Sequence, residues 1–227
     1  MDELSKLEKK ILEQFKELPE EEQKVVLKQM GHKKLAPKSY DFKLPKDKRY
    51  RIALVSDSHY GNKNHNYKFE AKLFRYFKRA KPDIVIDAGD LLDGHNMHYG
   101  QFWEQNHTTF MGQKEDFLAN RPDIGVTQYF VSGNHMYNGF DKKIGFNSGK
   151  NIASSRDDLK WLADIEADIV IGKDFRIKVM HPSDGTAYAL SYKPQKKIEA
   201  MGKDAPDMLI LGHYHKAAYF NFRGTHC

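Results

Sequence analysis

Five short blocks of this 227-residue chain carry side chains suited to gripping metal ions. They are Asp57-Ser58-His59, Asp87-Ala88-Gly89-Asp90, Ser132-Gly133-Asn134-His135, His181, and Gly212-His213-Tyr214-His215. Carboxylate, carboxamide oxygen and imidazole together suit divalent ions such as manganese, iron or zinc. The absence of thiolates from the blocks argues against a structural zinc site. A pair of ions about 3.5–4 Å apart needs about seven or eight ligand positions, one carboxylate being shared between them. The blocks supply that number if one aspartate is shared. Any one of these residues could equally be a turn or cap, so it is the combination that is specific.

The blocks sit where chain elements would bring them together. Apolar runs at Ile52–Val55, Ile84–Ala88, Val126–Val131, Phe175–Met180 and Met208–Leu211 read as short buried strands, each ending in one of the blocks. Helical patterns are expected at Phe69–Ala80, Asp157–Asp164 and Gln195–Met201, and further strands at Ile169–Ile171 and Ala217–Phe222. Strands alternating with helices predict α/β layers around a largely buried sheet. In such sheets the ligand crevice lies at the carboxyl ends of the strands. Glycine before the polar residue, as in Gly89-Asp90, Gly133-Asn134 and Gly212-His213, lets the chain turn sharply there.

In this order the blocks resemble the calcineurin-like metallophosphoesterase superfamily, whose pattern is D-x-H, G-D, G-N-H, an isolated H, and G-H-x-H. The resemblance covers roughly Arg51 to Phe222. It implies a four-layer α-β-β-α sandwich holding two divalent metal ions, manganese favoured, with iron, zinc or nickel as alternatives. Asp57, His59 and His215 would bind the first ion, Asn134, His181 and His213 the second, with Asp90 bridging. His135 would face the leaving group as a proton donor. The implied reaction is hydrolysis of a phosphate ester by hydroxide held between the ions. A phosphodiesterase or nuclease is favoured over a phosphomonoesterase of the same fold, and a catalytically inactive nucleic-acid-binding or scaffold member is the remaining alternative. Two departures stand out. His181 precedes Pro182 where the family often has glycine, and the chain ends at Cys227 where the family continues, so closing strands of the sheet are expected to be missing.

Outside the blocks, residues 1–31 read as a helical pair, with Leu4, Leu7, Ile11, Phe15 and Leu18 forming an apolar stripe on the first helix. Docking on the main domain, homodimerisation and half of a DNA-binding helical domain are the three readings of this pair. Residues 32–50 are basic and Pro-containing and read as a linker, and residues 51–227 as the main domain. The segment His95 to Asp123 is expected to flank the site as an insertion. Within it His95 is the candidate for substrate contact, while Tyr99, Phe102, Trp103 and Phe110 are expected to anchor the insertion to the core rather than stack on bases. Asp87 and Asp93 are expected to hydrogen-bond within the turn around Asp90. A formal charge of +6 points to an anionic partner, a phosphate-ester substrate with DNA or RNA among the candidates. No run approaches the roughly 20 apolar residues of a membrane span. The charged N-terminus is unlike a signal peptide, and Cys227 is the single cysteine. The expected setting is the cytoplasm, with no membrane partner.

Overall fold

The computed structural model describes residues 39–43, 49–185 and 187–227. The helical pair expected in 1–31 and most of the expected linker lie outside them. The elements follow in the order β1 (Ser39–Phe42), β2 (Ile52–Val55), α1 (Tyr67–Ala80), β3 (Ile84–Asp87), α2 (Phe110–Asn120), β4 (Gln128–Val131), α3 (Ser148–Ala153), β5 (Leu159–Ala163), β6 (Glu166–Ile171), β7 (Phe175–Met180), α4 (Tyr192–Met201), β8 (Met208–Leu211), β9 (Asn221–Phe222) and β10 (Thr225–His226). Two sheets result. One is all-parallel with the order β2-β3-β4-β5, and the other has the order β1-β6-β7-β8-β10-β9. This is the expected mixed α/β architecture of parallel sheets flanked by helices.

The two-residue period of β3 shows how the layers are built. Ile84 and Ile86 join Ala167, Ile169, Ile177, Val179 and Ile210 of the other sheet in one buried cluster. Val85, between them, points the other way and packs with Ala53 of β2 and with Phe74 and Phe77 of α1. All four residues of β3 are therefore buried, as a parallel strand covered on both faces requires. Helix α1 turns Glu70, Phe74 and Phe77 inward at helical spacing, and the Asn66 side chain caps its first turn by accepting from the Phe69 N–H at 3.0 Å.

Three local expectations are corrected. Asp157–Asp164 was expected to be helical, but Leu159–Ala163 is a strand paired in parallel with β4. The helix-like spacing of Leu159 and Leu162, both buried, comes from a bulge. Trp161 pairs with Phe130 and Ala163 with Val131, so Leu162 is the extra residue. Ser39–Phe42, inside the stretch read as linker, is an edge strand running parallel to β6. The sheet also continues past β8, where strands were expected to be missing. β10 pairs in parallel with β8 and β9 returns antiparallel to β10. Among the described residues no helix is long and apolar enough to cross a membrane.

Candidate metal centre

The sequence blocks occupy the turns that follow β2, β3, β4, β7 and β8, at the carboxyl ends of strands from both sheets. Backbone hydrogen bonds carry the ladder beyond the strands. The Asp57 N–H donates to Gly89 O at 2.9 Å, the His59 N–H to Asp90 O at 2.9 Å, and the Asp90 N–H to Ser132 O at 3.0 Å. The two sheets are stitched by the His213 N–H, which donates to Asp57 Oδ1 at 2.9 Å. Close approach demands glycine at Gly133, where φ is +86° and a Cβ would lie 2.3 Å from Asp90 Oδ1. At Gly212 a Cβ would lie 2.3 Å from Ser56 Oγ and 2.4 Å from Ala88 O.

Backbone strain is concentrated here. Of the eight non-glycine residues with positive φ among the described residues, five are Asp57, His59, Asp90, His213 and His215. Each such conformation costs on the order of 1–3 kcal/mol and persists only where surrounding structure enforces it.

The side chains converge. Ligand atoms of Asp57, His59 and His215 lie within 4.8 Å of one another, as do those of Asp90, His181 and His213 and those of His59, Asp90 and His135. Asp90 belongs to two of these sets, and His59 links the set of Asp90 and His135 to that of Asp57 and His215. Asn134 joins through its Oδ1, 3.0 Å from His213 Nδ1.

The chemistry of the facing atoms tests whether cations fit. His181 Nδ1 donates to Ala88 O at 2.6 Å, so in the neutral ring Nε2 carries a lone pair. That Nε2 lies 2.9 Å from Asp90 Oδ2, and both atoms are buried without a hydrogen-bond partner. His213 Nε2 is 2.8 Å from the Asp184 carbonyl, which leaves its Nδ1 lone pair against Asn134 Oδ1. His59 Nδ1 is 3.3 Å from Asp93 Oδ1, and its Nε2 faces His215 Nε2 at 3.2 Å. The first two of these are pairs of acceptors pointing at one another, and the third brings two imidazole nitrogens together. Only protons or cations reconcile them, and seven donors of this kind fit a pair of divalent ions. Burial works to lower the His181 pKa, yet Asp90 and Asp57 hold it above its ordinary value. Burial likewise opposes ionisation of Asp57, but His215, His181 and Ser56 bring its carboxyl down to about 2.

A family model described as a calcineurin-like phosphoesterase superfamily domain matches residues 50–226. The chain belongs to that superfamily. As a calcineurin-like phosphoesterase it is a metal-dependent phosphoric-ester hydrolase. It is 25% identical over 183 residues to an uncharacterized metallophosphoesterase of Aquifex aeolicus (strain VF5), a span covering 78% of this chain and 67% of that relative. A solved structure described as "Structural and Functional Characterization of a Novel Archaeal Phosphodiesterase" matches with a TM-score of 0.46 and 15% identity, over 78% of this chain and 80% of that one.

The remaining candidates of this phosphoesterase fall in different places. His135 borders the centre: its Nδ1 donates to Asp93 O at 2.6 Å, and its Nε2 lies 4.0 Å from Asp90 Oδ2. Burial holds its pKa below the ordinary value, outweighing the pull of Asp90. Together with Asp57, His59 and His215 it lines a cleft of about 480 Å³ that runs out past Asn62, Asn64, Phe69, His98 and Glu104. His95 is not among the residues lining that cleft; its carbonyl accepts from Lys143 Nζ at 2.7 Å.

The aromatics of the insertion do not anchor it as expected. Tyr99, Phe102 and Trp103 are exposed, and only Phe110 packs inward, against Phe140 and Phe146. Buried amides anchor it instead. Gln101 and Gln105 donate to Asp93 Oδ2 at 3.0 and 2.6 Å, and Gln113 clamps Gly94 at both its N–H and its carbonyl. Asp93, oriented this way, in turn orients His59. Asp87 does bond within its turn, accepting from the Gly89 N–H at 3.1 Å, while its other oxygen meets Arg121 at 2.7 Å.

Arg121 was not singled out by the sequence. Its guanidinium is buried and donates to Glu70 of α1, Ser58 of the Asp57-His59 turn, Asp87 of β3 and Gln128 of β4. It stacks 4.5 Å over the Phe74 ring. Three of the site-bearing segments are thereby tied to one cation. The signal available in sequence was slight, a lone Arg-Pro after a helix, because its partners are 34 and 51 residues away.

Proposed function

We propose that this protein hydrolyses phosphodiesters, nucleic acid being the favoured substrate, with two divalent cations held by Asp57, His59 and His215 on one side and by Asn134, His181 and His213 on the other, Asp90 being shared. The observation that carries the reading is the convergence of acceptor atoms where the strand ends meet, with His181 Nε2 against Asp90 Oδ2 and His213 Nδ1 against Asn134 Oδ1. Such cations, manganese favoured, would neutralise phosphoryl oxygens and acidify water toward neutral pH.

The protein's own contribution is positional and protonic. Ala88 and Asp93 fix imidazole orientation through Nδ1, so that Nε2 of His181 and of His59 points inward. His135, tethered at Nδ1, presents Nε2 to the cleft, where its imidazolium form would give the Nε2 proton to a departing oxygen and return to the neutral ring protonated at Nδ1. The cleft beside these groups supports a diester by its size, about 480 Å³, and by a wall that mixes the Phe69 ring with the amides of Asn62 and Asn64.

The test compares bis-p-nitrophenyl phosphate with p-nitrophenyl phosphate, with Mn²⁺ present and metal content measured on the same protein. Faster turnover of the diester is expected. Preference for the monoester would overturn the diester reading in favour of a phosphomonoesterase, and metal bound without turnover of either would favour a binding role.

A further inference from the structure

Helix α1 runs away from the cleft, and its outer face has a composition that its packing does not explain. The exposed positions are Lys68, Phe69, Lys72, Arg75, Tyr76, Lys78, Arg79 and Ala80, followed by Lys81. They include six cations, two aromatic rings and no acid. The one acid of the helix, Glu70, is turned inward onto Arg121. Asp83, just beyond the helix, is engaged by the Arg51 N–H. Lys68, Lys72, Arg75 and Arg79 recur at steps of four, three and four, so they form one stripe about 16 Å long at 1.5 Å per residue. Lys72, Arg75, Lys78 and Arg79 together line a shallow surface depression of about 640 Å³.

Local helix physics accounts for only part of this. Lys78 and Arg79 sit in the last turn, where the helix dipole favours cations. Lys68 sits in the first turn, where the dipole opposes a cation, and Lys72 and Arg75 lie mid-helix. Beside the charged stripe, Phe69 and Tyr76 are seven residues apart and about 60% exposed, 61% and 60% respectively. Phe69 also lines the catalytic cleft. The charged and aromatic stripes therefore lead out of the cleft along one helix.

We propose that α1 is a track for single-stranded nucleic acid, its cations following the phosphates and Tyr76 and Phe69 stacking on bases as the strand leaves the cleft. The combination of a basic stripe with interleaved rings suits a single strand, whose bases are free to stack. A lipid surface would also accept rings among cations, but it would not account for the continuity of the stripe with the cleft that Phe69 lines. The inference rests on the diester reading of the cleft.

The test uses the full chain carrying Lys72→Gln, Arg75→Gln and Arg79→Gln together, since glutamine preserves helix propensity. Binding of fluorescein-labelled 20-nucleotide deoxythymidine and uridine strands is measured by anisotropy in EDTA over a range of salt. Affinity for both strands should fall by about tenfold or more. The slope of log affinity against log salt should shrink by about 2, at about 0.7 for each lost phosphate contact. Tyr76→Ala should cost about fivefold or more without changing that slope. Thermal unfolding and hydrolysis of bis-p-nitrophenyl phosphate by the triple variant should match the parent.

Unchanged strand affinity in the folded triple variant would overturn the track. So would binding to phosphatidylcholine–phosphatidylserine vesicles without binding to either strand. Loss of affinity for only one of the two strands would support it and name the sugar. A parent protein that binds strands through α1 yet hydrolyses no diester would leave the track standing while removing the diester reading. Hydrolysis of the small diester with no strand binding would do the reverse.

Discussion

Two buried polar clusters lie close together in this phosphoesterase, built from similar residues and finished in opposite ways. Around Arg121 the two buried carboxylates are answered by a guanidinium, although His65 Nε2 beside Glu70 has no hydrogen-bond partner. The guanidinium donates to two carboxylates, an amide oxygen and a hydroxyl, and Glu70 is also met by the Tyr60 hydroxyl and by His65 at 3.1 Å. Burial works to lower the Arg121 pKa, but the charges of Asp87 and Glu70 more than offset it. In the turns after β3 and β7, Asp90 and His181 are 1% and 0% exposed and their facing atoms have no hydrogen-bond partner. A closed cluster is a structural element. A cluster of converging acceptors on strained backbone is one that only added positive charge completes.

The contrast predicts opposite outcomes for stability and activity. The largest effect should come from Asp90→Ala, which removes the shared carboxylate. Activity on bis-p-nitrophenyl phosphate should fall by about 10⁴-fold or more, because groups acting as a unit fail together. Thermal unfolding in EDTA should change less than in Arg121→Met, although the His135 N–H loses its acceptor. The buried carboxylate removed faces His181 Nε2 with an oxygen that has no hydrogen-bond partner. Severe destabilisation by this change would erase the distinction between the clusters. His135→Ala should slow hydrolysis of a poor leaving group by about 10²–10⁴-fold while both metals are retained on analysis. Full activity in that variant would remove the assigned proton-donor role.

Arg121→Met should instead destabilise the fold by about 3–5 kcal/mol, read from urea unfolding, because Glu70 and Asp87 would be left buried and unpaired. Mn²⁺ at about 100 times its dissociation constant should stabilise the parent by about 2.7 kcal/mol and leave Asp90→Ala much less affected.

The smallest expected effect concerns Asp141, a buried carboxylate whose Oδ2 lacks a hydrogen-bond partner and which is outside the converging sets. Burial pushes its pKa up to about 6. The folded value lies above the unfolded one, so the stabilising effect is full below about pH 4 and is lost as pH rises through 6. Asp141→Asn should therefore raise the unfolding free energy at pH 7.5 by no more than about 1 kcal/mol after solvent screening, read from urea unfolding, and lose that advantage at pH 4. Equal effects at both pH values would assign the change to packing rather than charge.

The seven proposed ligands were legible because metal chemistry restricts residue type and because strand ends are marked by apolar runs and glycines. The strands that carry them were legible for the same reason, β7 and β8 at the bounds observed. What misled was local ambiguity. Leu159 and Leu162 are spaced as on a helix, and only the bulged pairing with β4 makes them neighbours on a strand. The aromatics of the insertion have the composition of anchors, yet glutamines reach the Asp93 carboxylate and leave the rings outside.

Sequence by itself determined which chemistry was available: an oxygen- and imidazole-rich set, free of thiolates, at the ends of five strands. Tertiary structure alone decided which of those atoms face one another, which carboxylates are closed off by Arg121, and which face of α1 is left to solvent. The physical reason is that residue type sets what an atom can bind, whereas desolvation and pairing depend on neighbours supplied from distant parts of the chain.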